Sequence, residues 1–318
     1  MLNTVYSMPI NMKLISRTSL LLVIVSFLSF TALYDTEKDK NSFLISLANN
    51  HCSNAKDILN TTSFSVNSYC KENSFEALLN AFPTVVHESY HKKTHSINLD
   101  PSVRKYFINN ELTFEVPVFD VFRSEEMDQI VDNKYKDQIF RYGEYINSTD
   151  FDMDSQENGI FGILEEYTAY YQDILAYQEM YAYLEQNIPY SETELWVSYL
   201  VQNGNVLSTS AEFNLFISWY MQYAKVYHPN VYNKIVKSEE LKELYQYVNN
   251  GFSDASDKFH ENRETILNNI EPFIDQHELF IRVKNDKYFY ELPDNEVKKM
   301  EAYLNEPSHQ ILTFLCNK

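Results

Sequence analysis

Glycine and proline are scarce, five and nine among 318 residues. That excludes collagen-like repeats, loop-rich barrels and low-complexity linkers. With so few glycines the chain has no phosphate-cradling loop, no dinucleotide-binding glycine pattern and no serine nucleophile elbow. Three cysteines, Cys52, Cys70 and Cys316, are too few for a disulfide scaffold, and their spacing fits no zinc knuckle. Cys52 and Cys70 either pair in an exported chain or sit as small buried hydrophobes. Basic charge is also short. Lys and Arg number 26 against 45 Asp and Glu, a formal net charge of −19. An acidic surface repels a phosphate backbone, so nucleic acid is not an expected partner.

Large rings are abundant, with 25 Tyr and 21 Phe, enough to fill a sizeable core. Near the N-terminus, Ser19 to Tyr34 is an uncharged run of mainly Leu, Val, Ile and Phe. Lys13 and Arg17 precede it and Asp35, Glu37, Lys38, Asp39 and Lys40 follow. A basic, then apolar, then polar order describes a secretory signal. The run is shorter than the roughly 20 residues of a spanning helix. Phe30-Thr31-Ala32 makes a poor cleavage site, so an uncleaved membrane anchor stays open. The expectation is an exported or membrane-anchored chain, with residues 1–34 as signal or anchor and residues 36–318 as one domain. Any membrane contact is expected through that segment alone.

Beyond it the patterning is mostly helical. Phe75 to Leu79 reads as a short helical stretch, and Pro83 suits the first turn of a helix running to about Ser96. Leu112, Phe114, Val116 and Val118 alternate with Thr113, Glu115 and Pro117, a strand signal with Pro117 at an edge or bulge. Gly159 to about Gln186 reads as a long helix. Glu194 to Gln202, Ala211 to Tyr227, Glu239 to Val248 and Ser253 to Ile270 read likewise. Leu279 to Val283 and Tyr288 to Leu292 flank Asn285-Asp286 as a hairpin. The fold class expected is α+β and mostly α, with a small β insert.

The segment His87-Glu88-Ser89-Tyr90-His91 carries chemistry. Residues four apart on a helix share a face about 6 Å apart along the axis. Two imidazoles so placed can meet one tetrahedral metal ion, and zinc is the expected cofactor. Glu88 sits beside the metal rather than on it, where a base for activated water belongs. With eight histidines in the chain, a chance match is rare. His95, four past His91, is too far along a straight helix from His87 to share an ion, and reads as a substrate-side or surface residue.

These residues resemble the zincin superfamily of zinc metallopeptidases. The segment Gly162-Ile163-Leu164-Glu165-Glu166-Tyr167-Thr168-Ala169-Tyr170 resembles the glutamate helix of its gluzincin branch. The resemblance implies Glu166 as third ligand, with Glu165 as its alternative, and Ala169 as the small residue that lets two helices approach. It implies a zinc hydrolase, a metallopeptidase acting on peptide or another amide, with Glu88 as catalytic base. Several features depart from the pattern. Lys92 and Lys93 follow the motif, Tyr170 stands where an Asp often steadies a His ligand, and no sheet precedes the metal helix. Asp173, seven past Glu166, can steady a ligand instead. The candidate oxyanion donors are Tyr170, Tyr171, His228 and His260.

Two other readings remain. One is a non-catalytic zinc-binding envelope protein with a structural or partner-binding role. The other is a di-metal carboxylate bundle, for which Glu88-x-x-His91 supplies one half.

Overall fold

The structure is a computed structural model that describes residues 36–136, 139–148 and 153–273. The N-terminal segment, the hairpin expected at 279–292 and Cys316 lie outside these. The described chain is mostly helical with one two-stranded sheet, a mostly-α α+β fold. In chain order it comprises α1 (Glu37–His51), α2 (Ser53–Leu59), α3 (Phe75–Ile97), β1 (Val103–Asn109), β2 (Leu112–Pro117), α4 (Gly159–Asn187), α5 (Thr193–Tyr227), α6 (Pro229–Lys237) and α7 (Glu239–Ile270), with single helical turns between them. Among the described residues no helix is long and apolar enough to cross a membrane.

α3 begins eight residues before the turn that Pro83 suggests. Ser74 caps it by accepting from the Ala77 amide, with Glu76 in the first turn. Pro83 is therefore interior. It forgoes one helical hydrogen bond, and the helix holds because Leu78, Leu79, Phe82, Val85 and Val86 around it are fully buried. At the other end the Asn98 side chain donates to Thr94 O (3.0 Å) and Lys105 O (2.9 Å) and accepts from Lys105 N (2.6 Å). This ties the helix end to the outer edge of β1.

β1 and β2 pair antiparallel, with Arg104 opposite Val116 and Tyr106 opposite Phe114. They lie in sequence between the two helices that carry the motif segments. β2 occupies the stretch where alternation predicts a strand, with Pro117 at its end.

Two expected helix breaks are absent. α5 runs unbroken through Asn203 and Gly204, both buried, with Asn203 Nδ2 donating to the Tyr199 hydroxyl (3.1 Å). α7 runs unbroken through Gly251, where a Cβ would stand 2.4 Å from the Tyr171 ring. That glycine marks a close approach of α7 to α4, not a turn.

Buried side chains form two clusters. One gathers α1, α2, α3, the later part of α4 and the start of α5, around Trp196. The other gathers the hairpin, the first part of α4, the later part of α5 and much of α7, around Trp219. α4 passes through both. Among the described residues Cys52 and Cys70 are free, buried thiols in the first cluster. They do not form the disulfide that export would allow. Burial, then the charge of Glu179, pushes the Cys52 thiol well above its ordinary range.

Candidate metal centre

The site sits where α3 crosses α4. His87 and His91 project from one face of α3, and Glu165, Glu166 and Asp173 from α4. Ala169, fully buried one turn past Glu166, packs in the same core cluster as Val86 and Tyr90.

His87 Nε2 lies 3.8 Å and His91 Nε2 3.5 Å from Glu166 Oε2. A tetrahedral ion with bonds of about 2.0–2.1 Å spaces its ligand atoms about 3.3–3.4 Å apart. The ligand atoms of His87, His91 and Glu166 all lie within 4.8 Å of one another. This group could hold a metal ion. His87 and Glu166 are buried and His91 half-buried.

The opposite ring nitrogens face carboxylates. His87 Nδ1 is 3.0 Å from Asp173 Oδ2, and His91 Nδ1 is 3.2 Å from Glu165 Oε1. A proton held on each Nδ1 leaves Nε2 as the atom that faces Glu166, the tautomer a metal requires once the imidazole is neutral. Glu165 and Glu166 thus divide the work: Glu166 faces both Nε2 atoms, and Glu165 holds an imidazole from behind.

Charge binds the cluster together. Burial alone lowers the proton affinity of His87, but the charge of and hydrogen bond to Asp173 lift it to about 9. Burial opposes His91 as well, and its hydrogen bonds to Glu165 and Glu166 lift it to about 10. Burial raises Glu166, and the two histidines outweigh it, holding the carboxyl at about 2.

Glu88 lies one residue past His87 and is half-buried. The Glu144 carboxyl is raised by burial, then by Glu166, with Glu88 a smaller contributor. This places Glu144 within electrostatic reach of the site. His95 is exposed.

Of the four candidate donors, Tyr170 lies against the cluster. Its ring is 4.7 Å from that of His87, edge to face, and its hydroxyl is 3.1 Å from the Tyr145 hydroxyl. Tyr171 packs instead against Tyr247 and Phe252. His228 bonds Glu126 (3.1 Å) and stacks on Phe122. His260 is exposed on α7.

Several residues around the site escape sequence reasoning. Arg141 is buried, with its guanidinium 4.6 Å from the Tyr170 ring and Nη1 2.9 Å from Glu212 Oε2 on α5. Glu212 also accepts from the Phe140 amide (3.1 Å), so α5 seats the turn carrying Tyr145. Arg104 on β1 pairs with both Glu165 and Asp154. Arginines and tyrosines are spread along the chain, so only tertiary contact distinguishes these.

No known protein family, curated protein or solved structure matches the chain.

Proposed function

We propose that this protein is a zinc-dependent hydrolase, a metallopeptidase-like enzyme cleaving a peptide or another amide, with Glu88 as general base. One observation carries the reading: both Nε2 atoms and the Glu166 carboxylate converge, while a separate carboxylate stands behind each imidazole. Two imidazoles and one carboxylate suit zinc, and three protein ligands leave a position open for water, as catalytic rather than structural sites do. Among the described residues the group has three members.

Zinc held by His87, His91 and Glu166 would lower the pKa of a water to about 7 and would polarise a substrate carbonyl. The chain's own residues do the rest. The Glu88 carboxylate takes the proton from the attacking water and passes it to the leaving amine. Asp173 and Glu165 keep the two imidazoles in the tautomer that presents Nε2. The hydroxyl pair of Tyr170 and Tyr145 is suited to hold the oxyanion. Export or membrane anchoring rests on the basic, apolar and polar order at the N-terminus.

The test compares wild type with Glu88→Gln for metal content and for hydrolysis of peptide and ester substrates. Retained metal with activity down about 10²–10⁴-fold is expected of a lost general base. Undiminished activity in Glu88→Gln would refute the base. Bound metal without hydrolysis in either protein would favour the non-catalytic envelope role.

A further inference from the structure

The two imidazoles are not held alike. Behind His87 stands Asp173, whose second oxygen, Oδ1, is buried and has no hydrogen-bond partner among the described residues. Behind His91 stands Glu165, which is itself clamped. Its Oε1 faces His91 Nδ1 and its Oε2 pairs with Arg104. The same guanidinium nitrogen pairs with Asp154. Glu165 is 5% exposed, so an unpaired charge there would be costly.

Independent features of the chain bring these groups together. Arg104 reaches the site because Asn98 fastens the end of α3 to Lys105, the next residue on β1. Asp154 reaches it because of Gly162. A Cβ on that residue would lie 2.1 Å from the Asp154 carbonyl oxygen, so the turn Asp154–Glu157 rests directly on α4, one turn before Glu165 and Glu166. One of only five glycines is used at this contact.

We propose that Arg104, backed by Asp154 across Gly162, is a positioning residue for the metal centre: it fixes Glu165, which in turn orients His91. The inference rests on the metal site proposed above. The hairpin between the two helices thereby becomes part of the centre, and His91 is the imidazole whose carboxylate partner is itself paired with an arginine.

The test measures zinc affinity of the full-length protein by chelator competition, and the visible absorption of its cobalt-substituted form. Arg104→Gln, acting through Glu165, should weaken zinc binding up to about tenfold, the lower end of the range for outer partners of metal ligands, and should change the cobalt spectrum. Arg104→Lys should recover part of both. Asp154→Asn and Gly162→Ala should shift them in the same direction by less. A purely structural role would lower the Tm of these variants without altering cobalt geometry. Wild-type affinity and spectrum in Arg104→Gln would overturn the proposal, as would wild-type values in both Asp154→Asn and Gly162→Ala should Arg104→Gln not fold. Failure of wild type to bind either metal would instead refute the site itself.

Discussion

At the scale of single residues, the site depends on which atom of each side chain faces which partner. Asp173 shows this well. Its Oδ2 faces His87 Nδ1 at 3.0 Å, and a carboxylate there stabilises the Nδ1–H tautomer. Asp173→Asn keeps the shape and loses the charge, so zinc affinity should fall about tenfold, measured by chelator competition. Tyr170 makes a separable prediction. Tyr170→Phe keeps the ring against His87 and removes only the hydroxyl paired with Tyr145. Metal affinity should hold while kcat falls about a hundredfold with KM little changed, as for loss of one oxyanion donor. Equal kcat in the Phe variant would remove Tyr170 from the oxyanion role. His87, His91 and Glu88 are legible in the sequence because their spacing alone puts them on one helical turn. Asp173 is legible by its seven-residue spacing from Glu166. Arg104, Asp154 and Arg141 are not, since folding brings each from a separate element.

At the scale of elements, α3 and α4 carry the candidate ligands, and we propose that the small, fully buried side chain of Ala169 lets the two helices approach. Ala169→Leu would force extra volume into a fully buried contact, costing about 1–3 kcal/mol. A lowered Tm together with weaker zinc binding should follow. A lowered Tm with unchanged zinc affinity would show that the crossing does not govern the site. The hairpin shows where sequence patterning runs out. β2 alternates and can be read as a strand. β1 cannot, because Tyr106, Phe107 and Ile108 are all buried in succession. Tyr106 and Ile108 enter one core cluster and Phe107 the other, so a strand covered on both faces shows no period of two. The helices α5 and α7 mislead in the opposite direction. Gly204 and Gly251 resemble breaks, yet both lie inside long helices, and a Cβ at Gly251 would run into the Tyr171 ring.

At the scale of the whole molecule, the clustered charges link stability to pH. His87 and His91 are raised above the ordinary imidazole value of 6.5, to about 9 and about 10. Their charged forms stabilise the metal-free fold fully below about pH 6.5, and that contribution is lost as the pH climbs through 9 to 10. Glu166 is lowered from 4.5 to about 2, so its contribution is complete above about pH 4.5 and lost as the pH falls towards 2. These three groups together therefore stabilise the metal-free fold most from about pH 4.5 to 6.5, offset in part by the Asp154 carboxyl, which burial raises to about 6, and the Tm should decline between pH 7 and 10. Metal takes the neutral imidazoles, so the loaded protein should show a flatter alkaline limb. Parallel curves with and without metal would contradict this linkage.

We propose above all that His87, His91 and Glu166 together hold one zinc ion. The most direct measurement is the metal content of the purified protein, wild type beside His91→Ala and Glu166→Gln, each first exposed to equimolar zinc and then desalted. About one zinc per chain is expected in wild type, as for a three-ligand catalytic site, and strongly reduced zinc in both variants. Substoichiometric zinc in wild type, or full retention in the variants, would contradict it.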